Sequence, residues 1–439
     1  MNCWPKPVDT LLEALKSEKL WRGFVVTDPD TQKVRASHPV LESVAEAIGS
    51  DTRDYRRHEG CFFEIGGESD HLLSACVHWT KRGQAAGGVR FWSYDTVEAF
   101  VRDGLRLSRG MGQKNALAGL WWGGGKGVVA RRKDKNHLDP AVRRAVYHDY
   151  GRFMTGLCGC YVTAEDAGTT PDDMAVLFSM TRHTTCIPEK LGGSGNPSVL
   201  TATGVVVAME AALEHMGMGT LEGKSVVMQG LGNVSLYMVG ELVARRVKRI
   251  VGADIDESMI ERVKKTYPDA PLALRLVPRG DVSIFAEAGD VLAPNAVGAV
   301  LNPDTVPLIR TRIVCGAANN QLEDPRRDAE ALRKKGIVYV PDFLANRMGI
   351  VNAANEQYGR MENDPAIYAH LDKGTPWGIY RRCMDVFARS KASGRTPADE
   401  ASDLADELSQ ELHPIWGHRG LEIINYLVRS GWAGGEPIR

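Results

Sequence analysis

Long hydrophobic runs, an excess of one charge and regularly spaced cysteines are all missing from this 439-residue sequence. No apolar segment approaches the roughly 20 residues that a membrane-spanning helix needs. The 54 basic and 55 acidic residues give a formal charge of −1, without the global basic bias of many nucleic-acid-binding proteins. We therefore expect no membrane and no nucleic acid among the partners.

The eight cysteines and eleven histidines also lack informative spacing. The cysteines form neither a disulfide framework nor a zinc pattern, and the histidines do not pair at helical spacing, so we expect no metal site. The opening segment, 1–20, is amphipathic and contains acidic residues, unlike a secretory signal. These features favour a reduced, cytoplasmic protein.

What is present is an ordinary globular composition, 43% hydrophobic and 25% charged, over a length that suits two packed domains. Strand and helix periodicities alternate along the chain, which predicts an α/β fold. The patterns predict strands at 62–67, 71–79, 87–94 and 161–166 and helices at 95–110 and about 139–157. A Gly/Pro/Ser cluster at 191–198 predicts the first domain boundary, and strand and helix alternate at short spacing from 224 to 354.

The segment 224–254 has the order of a dinucleotide-binding unit: strand, glycine turn, helix, strand, acid. Gly230 would permit the tight turn, and Gly232 would let backbone N–H groups approach a pyrophosphate. Ser235 replaces the third glycine of that pattern, and the turn alone could be merely a tight strand-to-helix connection. Asp254, at the end of the second strand, could accept both ribose hydroxyls, which favours NAD over NADP; a helix cap is the alternative.

The stretch WWGGGKGVV, 121–129, places a lysine between glycines and an apolar strand. Glycines would let the backbone pass close to a ligand, and burial would lower the pKa of Lys126 toward that of a usable acid or base. Lys114 and Asp166 are candidate partners. Each also has an ordinary explanation: a lysine extending from a strand end, a lysine on a helix surface, and an aspartate that caps a turn.

Several ordered motifs make this chain resemble the glutamate/leucine/phenylalanine/valine dehydrogenases, most closely their leucine dehydrogenase branch. They begin with GGVRFWSYDTVEAFVRDGLRLSRGMGQKNALAGLWWGGGKGVV and continue with YVTAEDAGTT, GGSGNPSVLTATG, GLGNVS, ADID, LAPNAVGAVLN, CGAANNQL and GIVYVPDFLAN. The resemblance covers about 61–412, so residues 1–60 and 413–439 fall outside it.

The resemblance implies two domains separated by a cleft: an N-terminal α/β substrate domain over 1–195 and a Rossmann-like NAD domain over 196–370. C-terminal helices, 371–439, would return to the first domain. The implied reaction is reversible, NAD-dependent oxidative deamination of an amino acid to its 2-oxo acid and ammonia. Homo-oligomers are the rule in this family, and a homo-oligomer is therefore expected.

The resemblance also implies roles for individual residues. Lys114 would hold the substrate carboxylate, Lys126 would activate water, and Asp166 would carry a proton to and from nitrogen. Further substrate-binding positions would be Gly88, Met111, Ala86, Ala164, Ile350 and Ala353. The cofactor would be bound by Thr201, Gly230, Gly232, Asn233, Val234, Asp254, Asn295, Ala296, Asn319 and Asn320.

The chain departs from the family pattern at several positions. Where the family reads NAGG, this chain has Asn346, Arg347, Met348 and Gly349, and two long side chains there could reshape or close the pocket. Asn295 replaces a usual cysteine, and Trp121 and Trp122 replace smaller neighbours of the glycine run.

Ala86 stands where glutamate-specific relatives have a lysine, so a glutamate side chain would be buried unpaired and should be rejected. Two small pocket walls predict an apolar or aromatic substrate, with Met348 and Trp122 as candidate contacts to an aromatic ring. Two alternatives stay open: a protein that binds NAD or an amino acid without turnover, and a biosynthetic enzyme for an unusual aromatic 2-oxo acid.

Overall fold

The computed structural model describes residues 2–359 and 361–438, and these divide into two compact units. The first unit contains 2–195, 353–359 and 406–438, and the second contains 196–352 and 361–405. The break after Gly195 lies inside the Gly/Pro/Ser cluster. None of the described helices is both long and apolar enough to span a membrane.

The first unit is built on an eight-stranded mixed sheet with helices on it. Its strands are β1 Arg22–Thr27, β2 Val34–Ala36, β3 Gly60–Ile65, β4 Leu72–His78, β5 Ala85–Ala86, β6 Val89–Trp92, β7 Gly123–Ala130 and β8 Tyr161–Val162. Its helices are α1 Val8–Ser17, α2 Glu42–Ser50, α3 Val97–Leu117, α4 Pro140–Gly156 and α5 Pro171–Phe178.

Strands β1, β3, β4 and β7 are antiparallel neighbours, and β5 and β6 then run parallel to β7. Every residue of β3, β4 and β7 is buried, which explains why these strands read as nearly continuous apolar runs. In the core of this unit, α1 and α3 pack against the sheet through residues such as Leu11, Phe63, Phe100 and Val128.

Two predicted boundaries in this unit need correction. The helix predicted to end at 110 continues to Leu117, and Gly112 within it lies against β7, since a Cβ there would be 3.3 Å from the Gly124 Cα. The strand predicted over 161–166 ends at Val162, and only isolated bridges at Thr163 and Glu165 continue it. Asp166 therefore lies in a loop after the strand.

The second unit is a doubly wound parallel sheet, in the strand order β11-β10-β9-β12-β13-β14. The strands are β9 Ser225–Gln229, β10 Arg249–Asp254, β11 Leu272–Leu276, β12 Val291–Pro294, β13 Ile313–Val314 and β14 Val338–Tyr339. Its helices are α6 Ser198–His215, α7 Asn233–Ala244, α8 Glu257–Thr266, α9 Arg327–Lys334, α10 Asp342–Ala345, α12 Pro365–Tyr368 and α13 Ile379–Ser393. Helices α11 Met348–Glu356 and α14 Pro397–Ser409 begin in this unit and end in the first. The predicted α/β class with a Rossmann-like domain is confirmed.

The C-terminal helices divide between the units, which differs from the prediction that all of 371–439 returns to the first domain. Helix α13 packs on α6 of the second unit through a buried face that includes Ile379, Cys383 and Phe387. The ring of Phe387 stacks on that of His215, with centroids 4.6 Å apart. Only 406–438, with helix α15 Arg419–Arg429, belongs to the first unit.

Candidate active site

The strongest feature of the first unit is an ion pair between Lys126 and Asp166, whose Nζ and Oδ2 atoms lie 2.9 Å apart. Lys126 projects from the middle of β7, opposite Cys76 of β4, and only 3% of it is exposed. The backbone of Gly88 lies against the Asp166 loop, because a Cβ on Gly88 would be 2.4 Å from the Glu165 carbonyl oxygen and 2.8 Å from the Asp166 Cβ. The structure thus joins two of the predicted catalytic residues and places Gly88 beside them.

The glycines before Lys126 have a different purpose from the one expected. A Cβ on Gly124 would lie 2.3 Å from the Ser108 carbonyl oxygen and 2.8 Å from the Gly112 nitrogen, both on α3. A Cβ on Gly125 would lie 2.5 Å from the Tyr161 ring. The space beside these two glycines is filled by protein, so the expectation that they leave room for substrate is wrong. Gly124 instead lets α3, which carries Lys114, approach β7 closely, and Gly125 makes room for the Tyr161 ring.

Burial and neighbouring charge act on the two ionisable groups of this pair in different ways. Burial lowers the pKa of Lys126, and the nearby Arg90 guanidinium lowers it further, whereas Asp166 opposes the shift. Burial alone would raise the pKa of Asp166, but Lys126 and Arg90 together hold it below its ordinary value. Asp166 is therefore a carboxylate at neutral pH, and it is not the turn cap of the alternative interpretation.

The sequence interpretation missed a second pair of residues, Arg90 and Asp103. Arg90 Nε donates to the same Asp166 Oδ2 atom at 2.8 Å, and its Nη1 donates to Asp103 Oδ2 at 2.9 Å. The Tyr94 hydroxyl also donates to Asp103, at 2.6 Å. Arg90 is the last residue of GGVR, a motif on which the family resemblance rests, so the sequence could have indicated Arg90 as a site residue. Nothing local in the sequence pointed to Asp103.

The predicted substrate-binding residues of the first unit lie close in sequence to Gly88, Lys126 or Asp166. Lys114 is half-buried in the last turn of α3, and Met111 lies one turn earlier, with its Cγ 2.8 Å from the position of a Cβ on Gly87. Ala86 and Ala164 are buried, with 1% and 5% of their surface exposed. Ile350 and Ala353 lie on α11, and 9% and 1% of their surface is exposed.

The dinucleotide turn of the second unit has the geometry that a pyrophosphate cradle needs. Gly230 has φ +93°, and a Cβ on it would lie 2.7 Å from that of Ala296. Gly232 is the N-cap of α7 and has open space where a Cβ would be, and it has no side chain to cap the helix. The first-turn N–H groups of Asn233 and Val234 thus begin a helix at an open backbone position, which suits an anionic group.

Ser235, which replaces the third glycine, supports this turn rather than disturbing it. Its side chain is 1% exposed and its hydroxyl donates to the carbonyl oxygen of Gly230 at 2.8 Å. The helix therefore packs closely on the strand and the turn gains one additional hydrogen bond. The residues fit a bound dinucleotide at this position.

Asp254 ends β10 beside the same turn. One carboxylate oxygen accepts the N–H of Leu231 at 2.6 Å, and the other accepts the N–H of Asp256 at 2.9 Å. The helix α8 is capped by Asp256, whose carboxylate accepts the N–H of Ser258 at 2.9 Å. The helix-cap alternative for Asp254 is therefore wrong, and its carboxylate is held at the N–H of Leu231, inside the glycine turn.

The predicted nicotinamide-side residues are held by short contacts within the second unit. The Thr201 hydroxyl donates to the Pro197 carbonyl oxygen at 2.8 Å and lies 3.3 Å from the position of a Cβ on Gly349. Asn346 Nδ2 donates to Asn319 Oδ1 at 2.9 Å. Two further contacts fix the surrounding loops: Asn320 N–H to Asp342 at 2.6 Å, and Ala317 N–H to Asn295 at 2.8 Å.

Arg347 and Met348, which could have closed the pocket, point into the packed interior of the second unit. Both are 0% exposed. Arg347 Nη2 donates to the Trp377 carbonyl oxygen, and burial lowers the pKa of Arg347 to about 9. Met348 Cγ lies 2.7 Å from the position of a Cβ on Gly204. Met348 therefore packs against α6, and its contact with an aromatic substrate stays a prediction.

The two tryptophans before the glycine run differ in their exposure. Trp121 is 40% exposed and lies under the Arg82 guanidinium, 4.4 Å from it, with the His413 ring against its edge. Trp122 is buried. Among the described residues, no group of three or more His, Cys, Asp or Glu is arranged to hold a metal ion.

Comparison with known proteins identifies relatives of this chain. Residues 74–183 match the family described as Glu/Leu/Phe/Val dehydrogenase, dimerisation domain, and residues 192–399 match Glutamate/Leucine/Phenylalanine/Valine dehydrogenase. Leucine dehydrogenase of Geobacillus stearothermophilus is 38% identical over 74% of this chain and 85% of its own length.

An aromatic-acting enzyme is among the relatives as well. L-tryptophan dehydrogenase of Nostoc punctiforme is 34% identical over 80% of this chain and 93% of its own. The crystal structure of L-tryptophan dehydrogenase from Nostoc punctiforme superposes with a TM-score of 0.66 at 31% identity, covering 84% of this chain and 98% of that one.

Proposed function

Because this chain belongs to the Glu/Leu/Phe/Val dehydrogenase family, in its leucine dehydrogenase branch, we propose that it catalyses the reversible, NAD-dependent oxidative deamination of an apolar or aromatic L-amino acid. The products are the 2-oxo acid, ammonia and the reduced cofactor. The single observation that carries this proposal is the buried contact between Lys126 and Asp166, made by two motifs that the family shares.

The charges of the two residues assign them an order of action. The Asp166 carboxylate is ionised, so it starts as a proton acceptor and takes a proton from the substrate ammonium. A bound NAD would supply the hydride acceptor for the substrate α-carbon. Lys126, whose pKa is lowered by burial, then takes a proton from the water that adds to the resulting imine carbon. Asp166 returns its proton to the nitrogen, the C–N bond breaks to release ammonia, and the hydroxyl proton passes to solvent as the carbonyl of the 2-oxo acid forms. Lys126 then gives its proton to solvent, which completes the cycle. Lys114 holds the substrate carboxylate throughout.

NAD is proposed over NADP because of Asp254. Its carboxylate is fixed beside the dinucleotide turn by the N–H groups of Leu231 and Asp256, and a fixed anion there would repel a 2′-phosphate. Asn233 and Val234 would offer N–H groups to the pyrophosphate, and Thr201, Asn319 and Asn320 would contact the nicotinamide side. Asn295 and Ala296 would also bind the cofactor.

The substrate class follows from Ala86, which replaces a lysine of glutamate-specific relatives. A glutamate side chain would lack its cation, and burying an unpaired carboxylate costs several kcal/mol. The small side chains of Ala86 and Ala164 support a side chain larger than leucine, as does the relationship to an enzyme named for tryptophan.

The test is NADH formation from a panel of L-amino acids at alkaline pH. We expect phenylalanine or another large apolar substrate first, then leucine and methionine, then valine, with no reaction of glutamate or aspartate. Glutamate as the best substrate would contradict the role of Ala86. Reaction of only valine or alanine would show that the pocket is small, and the aromatic preference would then be abandoned.

The two alternatives differ in their present support. Arg347 and Met348 motivated a protein that binds without turnover, and both face the interior, while the relatives named above are dehydrogenases. An enzyme for an unusual aromatic 2-oxo acid would use the same residues, and the substrate panel, extended to aromatic 2-oxo acids with ammonia and NADH, separates it from the main proposal.

Assembly and location complete the proposal. We propose a homo-oligomer, because residues 74–183 match a domain described by its dimerisation and Leu412, Ile415 and Trp416 are exposed apolar side chains. A reducing compartment such as the cytoplasm suits the eight thiols, which are all free in the described part of the chain.

A further inference from the structure

Asp166 Oδ2 accepts hydrogen bonds from two cations at once, Lys126 Nζ at 2.9 Å and Arg90 Nε at 2.8 Å. Arg90 contacts two carboxylates, because its Nη1 also donates to Asp103 Oδ2 at 2.9 Å. Asp103 lies on α3, which is the helix that carries Lys114, and Arg90 lies on β6, which pairs with β7 next to Lys126. A continuous chain of ion pairs therefore runs from α3 to the proposed catalytic pair.

We propose that Arg90 and Asp103 are positioning residues that act on the Lys126–Asp166 pair in opposite senses. Arg90 fixes the Asp166 carboxylate and opposes a positive charge on Lys126. Asp103 draws the Nη1 edge of the guanidinium to itself, so that Arg90 meets Asp166 through Nε only and leaves room on Oδ2 for Lys126. This inference rests on the proposed function, in which Lys126 and Asp166 carry the proton transfers.

The geometry explains why both residues are needed. An arginine facing one carboxylate normally forms two parallel hydrogen bonds with it. Without Asp103, Arg90 could turn its Nη atoms onto Asp166 and compete with Lys126 for the oxygen they share. Asp103 is itself held by the Tyr94 hydroxyl at 2.6 Å and by Arg106 Nη2 at 2.9 Å, and its side chain is 10% exposed.

The charges around Lys126 set the sign of each effect. Arg90 lowers the pKa of Lys126, whereas Asp166 and Asp103 raise it. Four further groups on the surrounding elements have a raised pKa and stay protonated at neutral pH: Cys76 on β4, Tyr94 after β6, Tyr150 on α4 and Tyr161 on β8. Glu165, beside Asp166, has its pKa raised to about 7 by burial.

Two substitutions therefore have opposite expected effects. The acid limb of kcat/KM is its rise with pH as Lys126 loses its proton. Arg90→Gln removes the cation that opposes protonation of Lys126, so this acid limb should move to higher pH for deamination. Asp103→Asn removes an anion and frees Arg90 to compete for Asp166, so that limb should move to lower pH. Shifts of about one pH unit are expected for charges removed at this range. In both variants kcat should fall by at least about tenfold, because Asp166 is less well placed.

The matched control is Asp54→Asn. Asp54 is 6% exposed by side chain and pairs with Arg102 of α3 at 2.9 Å, in a separate ion-pair group that includes Asp51. Its loss should lower thermal stability as much as the loss of Asp103, without moving the acid limb. Asp103→Glu keeps the charge and should restore the wild-type limb.

A direct titration separates this inference from the proposed function. Lysine labelled with 13C at the ε-carbon reports the protonation of Lys126, whose resonance is assigned by its loss in Lys126→Met. Opposite shifts of this titration in Arg90→Gln and Asp103→Asn would support the inference. Shifts of the same sign, or none in folded variants, would overturn it. If the wild type turned over no substrate of the panel, the proposed function would fail, and this titration would still decide the role of Arg90 and Asp103.

Discussion

Lys126 Nζ and Asp166 Oδ2 lie 2.9 Å apart in a site where only 3% of the lysine is exposed. Water is thus largely excluded from the lysine, whose protonation depends on the charges beside it. A buried lysine beside a single carboxylate keeps its proton, but the additional cation, Arg90, makes the proton easier to remove.

Removal of the lysine should stop the chemical step while leaving cofactor binding intact. We expect Lys126→Ala to lower kcat by about 10² to 10⁴-fold, the range of general acid–base catalysis. The affinity for NADH, measured by fluorescence titration, should stay within about twofold of wild type, because the lysine lies in the first unit and the dinucleotide turn in the second. Lys133→Ala, an exposed lysine beyond β7, is the control, and substantial residual activity in Lys126→Ala would show a structural lysine.

The pH dependence should follow the direction of the Lys126 pKa. Because burial lowers that pKa, the lysine is deprotonated, and able to take a proton from water, from a pH below the ordinary lysine value of about 10.4. Deamination should therefore rise with pH and level off below about pH 10.4. A rise in deamination centred above that value would mean that Asp166 raises the pKa of Lys126 more than burial lowers it.

The catalytic motifs could be predicted from the sequence because each is local. Lys126 and Asp166 are recognisable within short ordered blocks, and so is the turn at Gly230. Asp103 is different, since a carboxylate on a helix surface gives no local sign that it will meet an arginine on a strand. The partners of charged side chains are decided by the packing of elements that are distant in the chain.

The same limit applies to the direction in which a side chain points. The sequence showed that Arg347 and Met348 replace small residues, but the packing of α6 and α13 determines that they face inward. The glycines before Lys126 gave a similar ambiguity. Their small size indicated a close approach, and only the position of α3 shows that protein, rather than substrate, fills the space beside Gly124 and Gly125.

Asp254 should set the cofactor preference. We expect wild-type kcat/KM to favour NAD over NADP by at least about tenfold, or ~1.4 kcal/mol. Asp254→Ser should reduce that ratio, because the repulsion of a 2′-phosphate is removed. Asp256→Ala is the control: it removes the cap of α8, which costs about 1 kcal/mol in urea unfolding, and should leave the ratio unchanged. Equal use of both cofactors by the wild type would remove the role of Asp254.

The chain should not be a monomer in solution. Light scattering at micromolar concentration should return a mass of at least twice 48.0 kDa. The apolar face of α15 is largely buried within the chain, since Ile424 and Leu427 are 1% exposed, whereas Tyr426 is 56% exposed. A mass equal to that of a single chain would refute the proposed homo-oligomer.

Two glycines with opposite surroundings test the first and the second unit separately. A Cβ on Gly124 would meet backbone atoms of α3 at 2.3 and 2.8 Å, and backbone cannot move aside as a flexible side chain can. Gly124→Ala should therefore lower the free energy of unfolding by about 1–3 kcal/mol, the usual cost of overpacking. A variant as stable as wild type would show that α3 does not depend on this glycine.

Gly232 has open space around it, and its φ of −65° is available to any residue. Gly232→Ala should leave the free energy of unfolding within about 0.5 kcal/mol of wild type, as substitutions without new contacts do. Its methyl group would nevertheless project where the backbone must approach a pyrophosphate, so NADH affinity should fall. Stability is thus expected to change in one variant and cofactor affinity in the other. Unchanged NADH affinity in Gly232→Ala would mean that the dinucleotide is not bound at this turn.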